Sequence, residues 1–100
     1  MGEQERLKIQ WTRGASQNLK QVESYIAKDN PNAAIGIVWK IIKSVERLAD
    51  NPLMGRVGRI FDTRELIINE AFFLVAYRVK QNQIEILSAF HSSGQWPDSV

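Results

Sequence analysis

Leu7, Ile9 and Trp11 alternate with Lys8 and Gln10, and an apolar side chain at every second position marks a strand with one buried face. Thr12 follows where a helix can be capped. From Arg13 onward, Ala15, Leu19, Val22 and Ile26 recur at spacings of four, three and four residues. That spacing lines one face of an α-helix, here predicted to end near Lys28. Asp29-Asn30-Pro31 reads as a break and a restart. Asn30 is a good N-cap, and Pro31 suits the first helical position, where its missing N–H would have had no partner. The second helix carries Ala34, Ile37, Val38, Ile41, Val45, Leu48 and Ala49 on one broad stripe. It stops at Asn51-Pro52, because proline cannot continue the hydrogen-bond ladder. Two helices joined by so short a link form an antiparallel hairpin.

Leu53 to Arg59 reads as a loop with two glycines and two arginines. Three β-rich runs follow: Arg64 to Asn69, Phe72 to Val79, and Gln83 to Phe90. The middle run is nearly all apolar, as a central strand would be. Lys80-Gln81-Asn82 makes a tight turn that pairs the last two runs as a hairpin. The order strand, helix, helix, three strands predicts an α+β fold. In it, an N-terminal strand and an antiparallel helix hairpin pack on one face of a small antiparallel sheet. One hundred residues accommodate a single domain, residues 1–100.

Composition narrows the class. Hydrophobic residues make up 44% and charged residues 24%, a globular balance that argues against disorder. The absence of cysteine excludes disulfides, a thiolate zinc site and a cysteine nucleophile, and fits a reducing cytosol. The charged N-terminus lacks the apolar core of a signal peptide. The longest apolar run, Ala71 to Tyr77, is far short of the roughly 20 residues that span a membrane. The expectation is a soluble cytoplasmic protein with no membrane partner. A net charge of +2 and a pI near 9.2 permit contact with nucleic acid or an acidic protein and demand neither. The chain carries no P-loop, no dinucleotide fingerprint and no His/Cys/Asp cluster of metal spacing, so neither a metal nor a cofactor is expected.

Certain words recur in a telling order. Tyr25-Ile26-Ala27, Asn30-Pro31 and Ala33-Ala34 stand at the helix turn, and Leu48, Asn51-Pro52 and Gly55-Arg56 close the second helix. Arg64-Glu65-Leu66, Tyr77-Arg78-Val79 and Ile84-Glu85-Ile86-Leu87 follow, then His91 ahead of Gln95-Trp96-Pro97. From about Ile9 to Pro97 this series resembles the RelE/ParE superfamily of toxins from bacterial type II toxin–antitoxin modules, with the ParE side favoured. The resemblance implies a cognate antitoxin bound in a hetero-oligomer, through a disordered segment that folds onto the toxin. It also implies one of two activities. ParE-like members inhibit DNA gyrase and cut nothing; RelE-like members cleave mRNA on the ribosome. Relatives often carry an arginine between the last-strand histidine and the terminal Trp-Pro, where this chain has Ser92-Ser93-Gly94. A degenerate member that binds antitoxin without poisoning anything is therefore a third reading.

Metal-independent RNA cleavage needs a base, an acid and a cation for the phosphorane charge. His91 is the candidate acid or base, with Arg56 and Arg78 as charge stabilisers and Arg59 and Arg64 as further cations. The structural alternatives are that His91 caps the final strand and that Arg78 pairs with Glu65 or Glu85, with the same ambiguity for Arg64. Thirteen basic residues against eleven acidic ones are a thin supply for a nuclease held on ribosomal RNA, which favours the gyrase reading. For target or antitoxin binding the candidates are Arg59, Arg64, Trp39 and Trp96, since tryptophan and arginine are enriched at interface hot spots. Against this, Trp39 could belong to the core and Trp96-Pro97 could fold back on the domain. An exposed sheet edge and an apolar groove beside the helix hairpin would receive the antitoxin.

Overall fold

Thr12 and Asn30 set where the two helices begin. In the computed structural model, which describes residues 6–68 and 73–91, the Thr12 hydroxyl accepts a hydrogen bond from the Ala15 N–H at 3.1 Å. The Asn30 side chain accepts one from the Ala33 N–H at the same distance. Each satisfies a donor that the first helical turn leaves without an intrahelical partner. Helix α1 spans Arg13–Ala27 and α2 spans Pro31–Glu46, with Pro31 in its first turn. The Asp29 and Asn30 N–H groups both return to the Ile26 carbonyl, so the chain reverses and the helices pack as the predicted hairpin. The second helix does not stay α-helical as far as Asn51. It tightens into a 3₁₀ turn over Arg47–Ala49 before Pro52.

Strands β1 (Lys8–Trp11), β2 (Arg56–Val57), β3 (Arg64–Ile68), β4 (Phe73–Lys80) and β5 (Gln83–His91) form one sheet in the order β1-β5-β4-β3-β2. From β5 to β2 the pairing is antiparallel, as expected. At the other edge β1 lies parallel to β5, so the sheet is mixed. A parallel pair needs a long crossover, and everything between the two strands supplies it. Arg56-Val57 falls in the expected loop and forms a short edge strand beside β3. The Thr12 hydroxyl also donates to the Ile86 carbonyl at 2.9 Å, tying the start of α1 to β5.

The core lies between the sheet and the hairpin. Phe73, Val75, Tyr77 and Val79 on β4 face the helices together with Leu66, Ile68, Ile84, Ile86 and Ala89. The helical stripe supplies Ala15, Ile41, Val45 and Leu48, with Leu19, Val22, Ile26 and Ile37 at its margin. Ile86 and Ala89 are three positions apart, so strict alternation would put them on opposite faces. A β-bulge resolves this: Tyr77 pairs with Ile86 while Ala76 pairs with Ser88, and Leu87 is the extra residue. Among the described residues no helix is long and apolar enough to cross a membrane.

The β4–β5 turn is held by Gln81 and Asn82, both at positive φ, 52° and 62°. Two such residues give the mirror-image turn whose twist matches a hairpin, yet a side chain such as glutamine pays about 1–2 kcal/mol to sit there. Gln81→Asn combined with Asn82→Gly is expected to stabilise the chain by about 1 kcal/mol and to raise Tm by about 4–8 °C in thermal denaturation followed by circular dichroism.

Candidate functional site

Glu65 sits in β3 with only 2% of its surface exposed. Arg56, directly opposite on β2, donates two hydrogen bonds to its Oε1, at 3.2 and 2.9 Å. Arg59 donates its backbone N–H and its Nε to Oε2, at 3.2 and 3.1 Å. Burial by itself pushes the Glu65 carboxyl up. The hydrogen bonds from Arg56 and Arg59 outweigh it and hold the group below the ordinary 4.5. The two arginine side chains remain about half exposed.

Tyr77 reaches the same loop from the core. Its hydroxyl donates to the Pro52 carbonyl at 2.9 Å and accepts the Gly55 N–H at 2.8 Å. Burial raises its pKa above the ordinary 10, so the phenol stays protonated and keeps its donor. A Cβ on Gly55 would lie 2.7 Å from the Tyr77 ring and 2.8 Å from the Glu65 carbonyl, so only glycine fits. Arg64 donates to the Gly55 carbonyl at 2.7 Å, and the Gly58 N–H meets the Thr63 carbonyl at 2.8 Å. Residues 52–63 are thereby fixed along their length while presenting Leu53, Val57 and Phe61 to solvent.

The structure does not bring the three nuclease candidates together. His91 pairs across the sheet with Phe73, edge to face at 5.3 Å between ring centroids, and directly opposed residues share a face. Phe73 is a core residue, so His91 is on the helix side, at its exposed margin. Arg56 opposes Glu65, which opposes Ala76, and Arg78 opposes Glu85; these stand on the other face. Arg78 bonds Glu85 at 2.8 Å, one of the two partners expected of it. Arg59 joins Glu65 and Arg64 braces the loop. Trp39 is 62% exposed and so is not a core residue; the Lys43 ammonium lies 5.2 Å from its ring centroid. Trp96 and Ser92-Ser93-Gly94 fall outside the described residues. Sequence reasoning missed Glu65 as the hub, although an acid within an apolar strand was a signal. It also missed the Ile60-Phe61 pair beside the glycine- and arginine-bearing loop. Among the described residues no group of three or more His, Cys, Asp or Glu side chains could hold a metal ion.

Comparison with known proteins adds an independent line. Residues 9–96 match a family model described as the ParE toxin of the type II toxin–antitoxin system, parDE. The chain is 40% identical over 92 residues to "Putative toxin Y4kP" of Sinorhizobium fredii (strain NBRC 101917 / NGR234), covering 92% of this chain and 95% of that one. Among solved structures it is similar to the chromosomal ParDE TA system from P. aeruginosa, with a TM-score of 0.77 and 27% identity. That match covers 86% of this chain and 96% of the other. The YoeB dimer from Staphylococcus aureus shares the fold, with a TM-score of 0.59 at 20% identity over 86% of this chain and 98% of that one.

Breaking a fully buried ion pair costs about 3–5 kcal/mol. Arg56 and Arg59 can be rehydrated when released, so Glu65→Gln is expected to cost about 2 kcal/mol. The depressed carboxyl gives this contribution a direction in pH. It is complete above 4.5 and is lost as pH falls through the lower folded-state value. Urea denaturation across acidic pH should show the wild-type advantage over Glu65→Gln constant near neutrality and shrinking in acid.

Proposed function

The chain belongs to the ParE toxin family of type II toxin–antitoxin systems, and from that premise we propose that it inhibits DNA gyrase by binding, cuts no nucleic acid, and is neutralised by a cognate antitoxin. The observation that carries the choice of binding over cleavage is the pairing of the arginines. Arg56 and Arg59 donate to Glu65 and Arg78 donates to Glu85. A guanidinium engaged with a carboxylate must give up that partner before it can clamp a phosphate. His91, the one imidazole in the chain, stands across the sheet from these cations. A general acid and the cations that stabilise a phosphorane have to meet at one phosphate.

The antitoxin contact is supported by Ile35 and Trp39, four residues apart on α2 and exposed at 63% and 62%. Two large apolar side chains at that spacing suit an amphipathic segment laid along the helix, with Trp39 as its anchor. Gyrase works in the cytoplasm, and the toxin would act there.

A supercoiling assay on relaxed plasmid tests the proposal. Purified chain in excess over gyrase should abolish supercoiling, and an equimolar amount of antitoxin should restore it. Unaltered supercoiling, together with codon-linked cuts in translated message that disappear in His91→Ala, would replace this reading with the ribosomal one.

A further inference from the structure

Residues 52–63 combine a braced backbone with exposed apolar side chains. The backbone is fixed by Tyr77, Glu65 and Thr63, so it cannot readily rearrange to hide its side chains. Even so, Phe61 is 95% exposed, Val57 76% and Leu53 65%. These side chains are contiguous. With Ile60 they line one open groove of about 720 Å³, whose other lining residues include Arg64 and Arg78. Contiguous exposed apolar surface on a small domain marks an interaction site, and a rigid surface binds without first losing conformational freedom.

We propose that this groove docks an extended segment of the cognate antitoxin in which apolar residues alternate with acidic ones. The inference rests on the reading of the chain as an antitoxin-neutralised toxin, and it names where a second part of that partner would sit. Charge supplies the acidic half. Arg64 makes its hydrogen bonds to the Leu53 and Gly55 carbonyls, which carry no full charge, so its cation is not neutralised by a carboxylate there. Arg78 pairs with Glu85 but keeps 36% of its side chain exposed. The one acid lining the groove is Asp62. Shape supplies the apolar half. Leu53, Val57 and Ile60 are aliphatic and Phe61 alone of the apolar lining residues offers a base a face to stack on, whereas single-stranded nucleic acid is held by successive aromatic platforms along a basic track. A protein segment is the better fit.

The test uses the folded toxin and its cognate antitoxin, with binding measured by isothermal titration calorimetry at low and high salt. Both groove positions to be changed are exposed, so Val57→Ser/Phe61→Ser should retain the wild-type circular dichroism and Tm while binding antitoxin about 30-fold or more weakly. Arg64→Gln should weaken binding about tenfold at low salt and flatten its salt dependence. Wild-type affinity in the folded double variant overturns the docking site while leaving the antitoxin reading intact. No binding by the wild-type chain overturns that reading and this inference with it. If the double variant keeps its antitoxin affinity but loses binding to a fluorescein-labelled single-stranded RNA, the groove belongs to nucleic acid and the proposal falls.

Discussion

A strand can turn each side chain to only one of two faces, and that constraint on β4 organises the rest of the molecule. Phe73, Val75, Tyr77 and Val79 go to the helices; Leu74, Ala76 and Arg78 go the other way. Everything paired to β4 inherits the same partition. Tyr77 can therefore be both a core residue and the clamp on Pro52 and Gly55. Glu65, opposite Ala76, is committed to the outer face, where Arg56 and Arg59 reach it. His91, opposite Phe73, is committed to the inner one. A slip of one residue would exchange all these assignments. The bulge at Leu87 keeps the nine residues of β5 in phase with β4 on both sides of the irregularity.

Glu65 does locally what the alternation does globally. A buried carboxylate is costly unless its lone pairs are filled, and here four N–H groups from two arginines fill them. Because both arginines precede β3, Arg56 on β2 and Arg59 just after it, satisfying the carboxylate also dictates the course of the backbone from Arg56 to Arg59. The phenol of Tyr77 does the same from Pro52 to Gly55. A polar requirement inside the sheet thus becomes a fixed shape outside it, and a fixed shape is what allows Phe61 to stay in solvent.

The elements set by local chemistry were legible in the sequence. Thr12 and Asn30-Pro31 mark the helix starts because capping is decided within three residues, and the Gln81-Asn82 turn is similarly local. The parallel pairing of β1 was not legible, since Ile9 and Trp11 alternate identically whichever way the neighbouring strand runs. Arg56-Val57 is too short to show a period. The partners of Glu65 depend on which residues a folded loop brings back, and spacing along the chain does not encode that. Trp39 is different. At about 100° per residue it lies about 160° around α2 from Ile41, outside the arc that holds Ala34, Ile37, Val38 and Val45. Its exposure could have been deduced from the stripe already identified.

The ion pairs and the exposed apolar groups bear on the same question from opposite sides. Arg56, Arg59 and Arg78 are each engaged with a carboxylate, and a guanidinium so engaged must release that partner before it can grip phosphate. Leaving Ile35, Trp39, Val57 and Phe61 in water offers what a protein partner needs, because the favourable term in such association is the apolar surface removed from solvent. The two apolar areas also differ in form. One runs along a helix, and the other lines a groove in a braced loop. A single flexible partner that engages the first and then the second makes its second contact at high effective concentration, which multiplies affinity without any further interface. A partner of that kind, binding the folded state and not the unfolded one, also raises the stability of the folded state by mass action. On this chain, inhibition of the toxin and stabilisation of its fold would be two consequences of one binding event.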